Sequence, residues 1–312
     1  MAGVGAESIV HGVVAAIVVG LLLRLRRGDP PGLRLGFLLA GAIVPLLSAP
    51  IFHWLAPGRL DPAFRDGPAL FSASHFTILA PAGVPLLPVS LALLAFAGTL
   101  LFLRDLIPFL WDASKGRAHV QSVADAGAIT GAVQRAAAGL GMVPPRISLQ
   151  SSEHPVLLCR GLLRLRIVAS TAILDALTPD ELEAAVAHEV AHAAHRDPLL
   201  GWGLMLVRGL AFFNPAVQLL ARAAVHETEH RADRAAAGVL GDVAPLVSSL
   251  HKMLAAERGG RPARLTHFAH RRALAERCRA LQTAADATTT AGPWHLMATV
   301  AGLIALLYLV VV

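Results

Sequence analysis

The sequence predicts a mainly α membrane protein, with transmembrane helices and an α+β domain that contains a small β-sheet. Three observations lead to this prediction. The 312 residues are 55% hydrophobic and 15% charged, with a mean hydropathy of +0.60, which is too apolar for an ordinary soluble domain. Long apolar runs lie towards both ends of the chain. Between them, residues 104–290 have the size of one soluble domain, about 190 residues.

The positive charge of the chain favours a membrane over a nucleic acid as partner. The net charge of +6 comes almost entirely from arginines, because Lys115 and Lys252 are the only lysines. The arginines are dispersed, and several flank apolar runs, where positive residues orient membrane spans. We therefore expect a lipid bilayer as a partner and no nucleic acid. Cys159 and Cys278 lack metal-site spacing and suggest no disulfide framework, which fits a reducing compartment.

Residues 1–103 are predicted to form a membrane region with three transmembrane helices. The apolar runs 9–23, 35–55 and 84–103, with their flanking residues, are long enough to cross a hydrocarbon core of about 30 Å. No positive residue precedes the first run, whereas Arg24, Arg26 and Arg27 follow it. A cleaved signal peptide has the opposite order, so we expect a retained span.

The distribution of arginines also predicts the orientation in the membrane. Under the positive-inside rule, the N-terminus lies outside and residues 104–290 lie at the cytoplasmic face. Residues 294–312 form a last apolar run and are predicted as a fourth transmembrane helix, with Trp294 as an interfacial anchor. The expected localisation is the inner cell membrane, as a multi-pass protein.

Alternating apolar and polar residues predict a small sheet within residues 104–290. Residues 146–150 alternate as a half-buried strand does, and residues 154–159 and 163–169 are predicted as two further strands. A helix is then expected to begin at Thr178, because Thr178 is a good N-cap and Glu181 completes a capping box three residues later.

That helix carries the sequence His188-Glu189-Val190-Ala191-His192 in an alanine-rich context. Residues four apart share a helix face, so His188 and His192 can bind one metal ion together, and Glu189 can reach a water on that ion. Imidazole pairs suit zinc, and a catalytic zinc needs a third protein ligand and an open position. The alternative is a surface helix that happens to carry two histidines.

The third ligand is expected from a second helix. Glu229 and Asp233 lie four residues apart on one face of it. Glu229 would complete the His2Glu set of catalytic zinc sites, and Asp233 could accept the outer ring N–H of a zinc-bound histidine. His195 is poorly placed to join both histidines. A solvated, salt-bridged helix face is the alternative for this acidic cluster.

Residues 199–222 are predicted to form an apolar helical hairpin that turns near Asn214-Pro215. Both of its ends must return to the same metal ion, so it cannot be one membrane crossing. Two full crossings need about 40 residues, and fewer residues separate His192 from Glu229. We therefore expect the hairpin to pack on the domain or to dip into the membrane face.

With these residues in place, the chain resembles the gluzincin metalloproteases of membranes. It looks most like the M56 family, the group of the BlaR1 and MecR1 antibiotic-sensing receptors, and is similar to the M48 family of HtpX and Ste24 proteases. The matching residues are His188-Glu189-x-x-His192, Arg196-Asp197, Phe213-Asn214-Pro215 and Glu229-x-x-Ala232-Asp233. The receptors carry an extracellular penicillin-binding sensor after the last span, and we expect none here.

The resemblance implies a zincin-like (gluzincin) metalloprotease domain and a zinc-dependent endopeptidase. It implies that His188, His192 and Glu229 bind Zn²⁺ and that Glu189 is the catalytic base. It also implies that a protein or peptide substrate binds along the edge of strand 163–169. The expected role is regulatory, signal-transducing proteolysis at the cytoplasmic face.

A weaker resemblance concerns Thr266-His267, which are followed by Glu276-Arg277. The M48 family has Thr-His-Pro and a later Arg in a similar segment, but Phe268 stands where that family has Pro. The resemblance suggests His267 as an oxyanion stabiliser. His270 is an equal candidate, and a structural histidine within a helix is the alternative for either.

Three other functions stay open at this stage. The first is an M48-like protease for membrane-protein quality control. The second is a membrane sensor or scaffold that zinc only stabilises, although such a site has no need of Glu189 as a base. The third is a transporter, which the scarcity of ionisable residues in the spans disfavours.

Overall fold

The computed structural model describes residues 2–72, 86–115, 127–257, 277–279, 281 and 294–311. They divide into two compact units. The first unit comprises residues 1–114, 204–225 and 288–312, and the second comprises residues 115–203 and 226–287. Helices dominate the described residues and a small sheet accompanies them, so the predicted fold class is confirmed.

The first unit contains the long apolar helices. Helices α1 (Ala2–Leu25), α2 (Pro31–Leu55) and α4 (Leu86–Lys115) match the three predicted spans. Within the described residues, three apolar segments are long enough to cross a membrane, Val4–Leu25, Pro31–Leu55 and Leu86–Ile107. A rise of about 1.5 Å per residue gives each at least the ~30 Å of a hydrocarbon core.

The last apolar run is shorter as a helix than the sequence suggested. Helix α11 (Trp294–Tyr308) has 15 residues, whereas a transmembrane helix needs about 20. Strand β5 (Val310–Val311) follows and pairs in parallel with β1 (Phe71–Ser72). The predicted fourth span, 294–312, therefore contains a helix and a strand instead of one continuous helix.

A buried arginine connects the short elements after α2 to the end of α11. A 3-10 helix (Pro57–Leu60) and helix α3 (Pro62–Arg65) follow α2. Arg59, on the 3-10 helix, donates hydrogen bonds to the carbonyls of Leu307, Tyr308 and Val310. Its guanidinium also forms an ion pair of 2.9 Å with Glu7. The hydrogen bonds to Leu307 and Tyr308 satisfy carbonyls at the C-terminal end of α11 that have no partner within the helix, and the third reaches β5 at Val310.

Two helices cover the predicted hairpin, and the chain between them includes Asn214. Helix α8 (Asp197–Leu210) ends before Asn214, and helix α9 (Pro215–Leu240) begins after it. The side-chain oxygen of Asn214 accepts the N–H groups of Ala216 and Val217, as an N-cap does. Residues 204–225 belong to the first unit, where Arg222 makes a two-pronged ion pair with Asp105 of α4.

The second unit contains the sheet and the helix with the two histidines. Helix α5 (Gly127–Gly139) precedes strands β2 (Arg146–Gln150), β3 (Leu157–Arg160) and β4 (Arg166–Ser170). The strand order is β2-β4-β3, with β2 parallel and β3 antiparallel to β4. Helices α6 (Thr171–Ala176), α7 (Pro179–His195) and α10 (Ala244–Glu257) complete the unit.

The strand order corrects one expectation about substrate binding. The predicted strand 163–169 appears as β4, which begins only at Arg166. Both sides of β4 are hydrogen-bonded, to β2 and to β3, so it offers no edge to a substrate. Residue periodicity predicts that a strand exists but not which neighbours it takes. In the described sheet the edge strands are β2 and β3.

Helix α7 begins at the predicted residue, and the carboxylate of Glu181 links it to α10. The Thr178 hydroxyl accepts the N–H of Glu181, and the Glu181 carboxylate accepts the N–H of Thr178 at 2.8 Å, which completes the capping box. The same carboxylate accepts hydrogen bonds from Ser248 and Lys252 of α10. Between these helices and the sheet lies a core of fully buried side chains, including Ile129, Ile167, Ile173, Val186, Val190 and Leu246.

We predict that Glu181→Gln destabilises the protein in a pH-dependent way. Hydrogen bonds from Lys252, Ser248 and the Thr178 backbone lower the pKa of Glu181 from 4.5 to about 2. A lowered pKa in the folded state gives a stabilisation that is complete above the unfolded pKa and is lost as the pH falls through the folded pKa. The variant should lose about 1 kcal/mol near neutral pH, the typical cost of a lost cap or hydrogen bond.

The measurement is chemical unfolding of the full chain in detergent, at pH values from neutral down to about 3. The difference between wild type and Glu181→Gln should narrow below pH 4.5. Asp180→Asn is the matched control, because Asp180 is an exposed carboxylate in the same helical turn. An equal loss of stability in both variants at every pH would contradict the role given to Glu181.

Candidate metal centre

Two imidazoles meet on one face of α7. His188 and His192 lie one helical turn apart, and their Nε2 atoms are 3.1 Å from each other. The alanines next to them, Ala184, Ala187 and Ala191, are buried, so small side chains let the helix pack closely in the core. Both histidines are largely buried. The predicted juxtaposition of the two rings is therefore present.

A carboxylate from α9 closes the group. Glu229 places Oε2 at 3.6 Å from Nε2 of His188 and Oε1 at 3.6 Å from Nε2 of His192. In the part of the chain that the structure describes, these are the three potential ligand side chains whose atoms all lie within 4.8 Å of one another. The side chain of Glu229 is one-third exposed, so the group can be reached from solvent. His195, the near candidate, is not part of it.

The spacing of the ligand atoms fits a zinc ion. Tetrahedral zinc with bonds of 2.0–2.2 Å separates its ligand atoms by roughly 3.3–3.6 Å. The separations here are 3.1 Å between the two nitrogens and 3.6 Å from each nitrogen to Glu229. Two imidazoles and one carboxylate are the ligand set of several catalytic zinc sites, which leaves the fourth position for water or substrate.

The outer nitrogens of both rings face aspartates. Nδ1 of His192 lies 2.7 Å from Asp197, and Nδ1 of His188 lies 3.0 Å from Asp233. An aspartate at Nδ1 favours the tautomer that is protonated there, which leaves Nε2 with a lone pair. Two lone pairs that face each other at 3.1 Å repel, unless a proton or a metal ion lies between them. The rings are thus oriented for a cation.

Two arginines support the aspartates. Arg277 donates two hydrogen bonds to Asp233, of 2.6 and 2.7 Å, and its third nitrogen lies 3.1 Å from Glu229. Arg231 of α9 forms an ion pair with Asp197. Planar guanidinium groups match carboxylates in two-pronged geometry and hold them in a fixed orientation. Each histidine is therefore backed by an aspartate and an arginine.

Sequence reasoning found Asp233 but assigned no role to Asp197, Arg231 or Arg277. Asp197 comes two residues after the end of α7, and its separation of five residues from His192 is a local signal for such a contact. Arg277 lies 89 residues from His188, too far for any local pattern. His267 and His270, the two candidates for oxyanion stabilisation, lie outside the described residues.

The charges of the group favour a cation among the ligands. Burial lowers the pKa of His188, but the carboxylates of Asp233 and Glu229 outweigh it and raise that pKa to about 10. Burial raises the pKa of Glu229, but His188, His192 and Arg277 outweigh it and lower that pKa to about 2. The carboxylates thus stay ionised and favour positive charge at the imidazoles, which a divalent ion also supplies.

Glu189 lies beside the histidines and contacts the sheet. Its Oε2 accepts the backbone N–H of Cys159, on edge strand β3, at 2.6 Å. Burial raises the pKa of Glu189, and His188 and His192 oppose this rise. A carboxylate with a raised pKa is a better proton acceptor near neutral pH. The second oxygen, Oε1, is left for a reacting group.

Comparison with known proteins finds similarity to peptidases. The family model described as "BlaR1 peptidase M56" matches residues 88–243, which is half of the chain. The Protease HtpX homolog 2 of Methanosarcina acetivorans is 27% identical, over 56% of this chain and 70% of that protein. The protein of the same name from Methanosarcina mazei is 27% identical, over 46% of this chain and 60% of its own. No solved structure matches the chain.

We predict that zinc affinity depends on the aspartates as well as on the ligands. Asp197→Asn and Asp233→Asn should each lower the affinity about 10- to 100-fold, because the rings lose the partners that orient them. Glu229→Ala should lower it further, because a ligand is removed. Zinc content after purification and chelator competition measure both effects. The control is Asp175→Asn, an exposed aspartate of α6. Unchanged zinc content in Glu229→Ala would point to His226, His230 or Asp233 as the ligand.

Proposed function

The chain belongs to the M56 peptidase family, and we propose on that premise that it is a membrane-anchored, zinc-dependent endopeptidase. The observation that carries the proposal is the convergence of His188, His192 and Glu229, with Glu189 beside them. Packing between two helices does not by itself require two imidazoles and a carboxylate to meet at one point. Their convergence from helices that are remote in sequence therefore favours a functional site. When bound, zinc supplies polarisation of the scissile carbonyl and a lower pKa for the attacking water.

Glu189 acts as general base and then as general acid. Its Oε1 takes a proton from the attacking water as the new C–O bond forms at the scissile carbonyl carbon. It then gives this proton to the leaving nitrogen as the C–N bond breaks, so the carboxylate is regenerated. The N–H of Cys159 holds Oε2 and so fixes the direction of Oε1.

The substrate is proposed to bind as an extended peptide along β3, in place of the strand predicted from sequence. Strand β3 is an edge of the described sheet, and a peptide can add to such an edge through main-chain hydrogen bonds. The contact between Cys159 and Glu189 joins this edge to the proposed base. A peptide along Leu157–Arg160 would therefore reach the reacting groups directly.

The cellular role that we propose is regulatory proteolysis at the cytoplasmic face of the inner membrane, with the N-terminus outside. Arg24, Arg26 and Arg27 after the first span support this orientation. The similarity to proteins named HtpX homolog favours a second candidate role, M48-like quality control of membrane proteins. A non-catalytic zinc scaffold is disfavoured, because a purely structural metal site has no use for a carboxylate base next to its ligands.

We predict that Glu189→Gln retains zinc and loses proteolysis. General-base catalysis contributes about 10²- to 10⁴-fold, so the rate of cleavage of an unfolded protein substrate should fall by at least the lower figure. The assay compares cleavage and zinc content in the same detergent preparations. Glu183→Gln is the control, because Glu183 is on the same helix and pairs with Arg135 away from the ligands. Wild-type cleavage by Glu189→Gln would remove this residue from the mechanism.

The proposed role can be tested in cells that carry either the wild type or Glu189→Gln. We expect one or a few intact cytosolic regulators to accumulate with the inactive variant, as measured by quantitative proteomics. Accumulation of many misfolded membrane proteins instead would support the quality-control role. No difference between the two strains would contradict both.

A further inference from the structure

One end of the small sheet carries an unusual concentration of positive charge. The strand register pairs Arg146 of β2 with Arg166 of β4, and Arg166 with Arg160 of β3. Residues that are paired across strands point to the same face of a sheet. These three residues, which we call the arginine row, therefore lie side by side on one face. All three are exposed, as is Arg164 in the turn between β3 and β4.

Among the described residues, no carboxylate pairs with the arginine row to offset its positive charge. Like charges directly opposite each other across strands are destabilising. In the ranges that the structure describes, none of the three arginines forms an ion pair with a carboxylate. The opposite face of the sheet carries Leu149, Ile167 and Ala169 in the core. On the face of the row, the next residues, Ser148 and Val168, are buried, so the exposed part of this face is the end that carries the arginines. A surface of this kind fits a partner with closely spaced negative charges.

The chain segments next to the row carry exposed apolar side chains. Leu163, in the turn, is 84% exposed, and Val143, before β2, is 83% exposed. Leu158 lies on the same face as the row, two residues from Arg160 along β3, and is also exposed. The turn itself has a defined shape, because Gly161 has φ +120° and a Cβ there would lie 2.3 Å from the carbonyl oxygen of Arg164.

We propose that this surface, the arginine row with Arg164, Leu163 and Val143, docks on an anionic phospholipid bilayer. Guanidinium groups bind phosphate in two-pronged geometry, and exposed leucine or valine side chains enter the boundary between headgroups and acyl chains. An acidic protein would complement the charge of the arginines but not the exposed leucine and valine side chains. The bilayer is also always nearby, since the same chain contains three helices of membrane-crossing length, and tethering raises the effective concentration. The proposal does not rest on the peptidase chemistry, and its readout is bilayer docking, although Arg160 also lies on the strand that we propose as the peptide edge.

The test uses the full chain in nanodiscs, either of neutral phosphatidylcholine or of phosphatidylcholine mixed with phosphatidylglycerol. Amide hydrogen exchange of residues 158–165 should be slower in the anionic discs, and added salt should abolish the difference. Each arginine near an anionic surface contributes about fivefold to the docking equilibrium. Replacement of the row, Arg146→Gln, Arg160→Gln and Arg166→Gln together, should therefore remove the protection.

Three further variants test the contributions of charge, of apolar contact and of position on the surface. Replacement of the same three residues by lysine should retain most of the protection, because the charge remains. Leu163→Ser should weaken it without disturbing the fold, because this side chain is already in solvent. Arg135→Gln removes an exposed arginine of α5 and should leave it unchanged. Equal exchange in both kinds of disc, or protection that appears only when an acidic protein is added, would overturn the proposal.

Discussion

The contacts between the outer nitrogens of two histidines and two aspartates set the geometry on which the candidate site depends. His192 is held by Asp197 and His188 by Asp233, so the two Nε2 atoms face each other and Glu229. Asp233 and Glu229 belong to α9, so these contacts also attach α9 to α7 within the second unit. Ion pairs that are buried gain little net stability after desolvation. We therefore interpret Arg277 and Arg231 as positioning groups, which keep the aspartates ionised and correctly oriented.

The parts of the structure that could be predicted are those with local signals. Thr178 and Glu181 are three residues apart, and their capping box alone locates the start of α7. His188 and His192 are one turn apart on that helix, and Glu229 and Asp233 are one turn apart on α9. Asn214 before Pro215 marks the turn of the hairpin. In each case the residues named lie within about one helical turn of each other, so sequence spacing determines which of them share a face or a turn. The meeting of Glu229 with His188 and His192 has no such local signal and was expected from the ligand set of catalytic zinc sites and from the family resemblance.

The parts that could not be predicted depend on contacts between distant residues. The central position of β4 follows from pairing with two strands, and periodicity carries no information about strand order. The end of α11 depends on the pairing of Val310–Val311 with Phe71–Ser72 and on hydrogen bonds from Arg59, which comes about 250 residues earlier. Apolar composition alone suggested a longer helix there. Arg277 was missed as a partner of Asp233 for the same reason.

The hydrogen bond from Cys159 to Glu189 affects how a peptide can pair with the edge of the sheet. A strand that adds to β3 normally finds a regular series of donors and acceptors, but the amide of Cys159 is already engaged by the carboxylate. Under the proposed mechanism, a peptide that pairs with β3 lacks one main-chain donor, the N–H of Cys159, next to the bond to be cut. This gap would fix the point along β3 at which a peptide is cut, and it would do so through main-chain groups, which all residues except proline present alike.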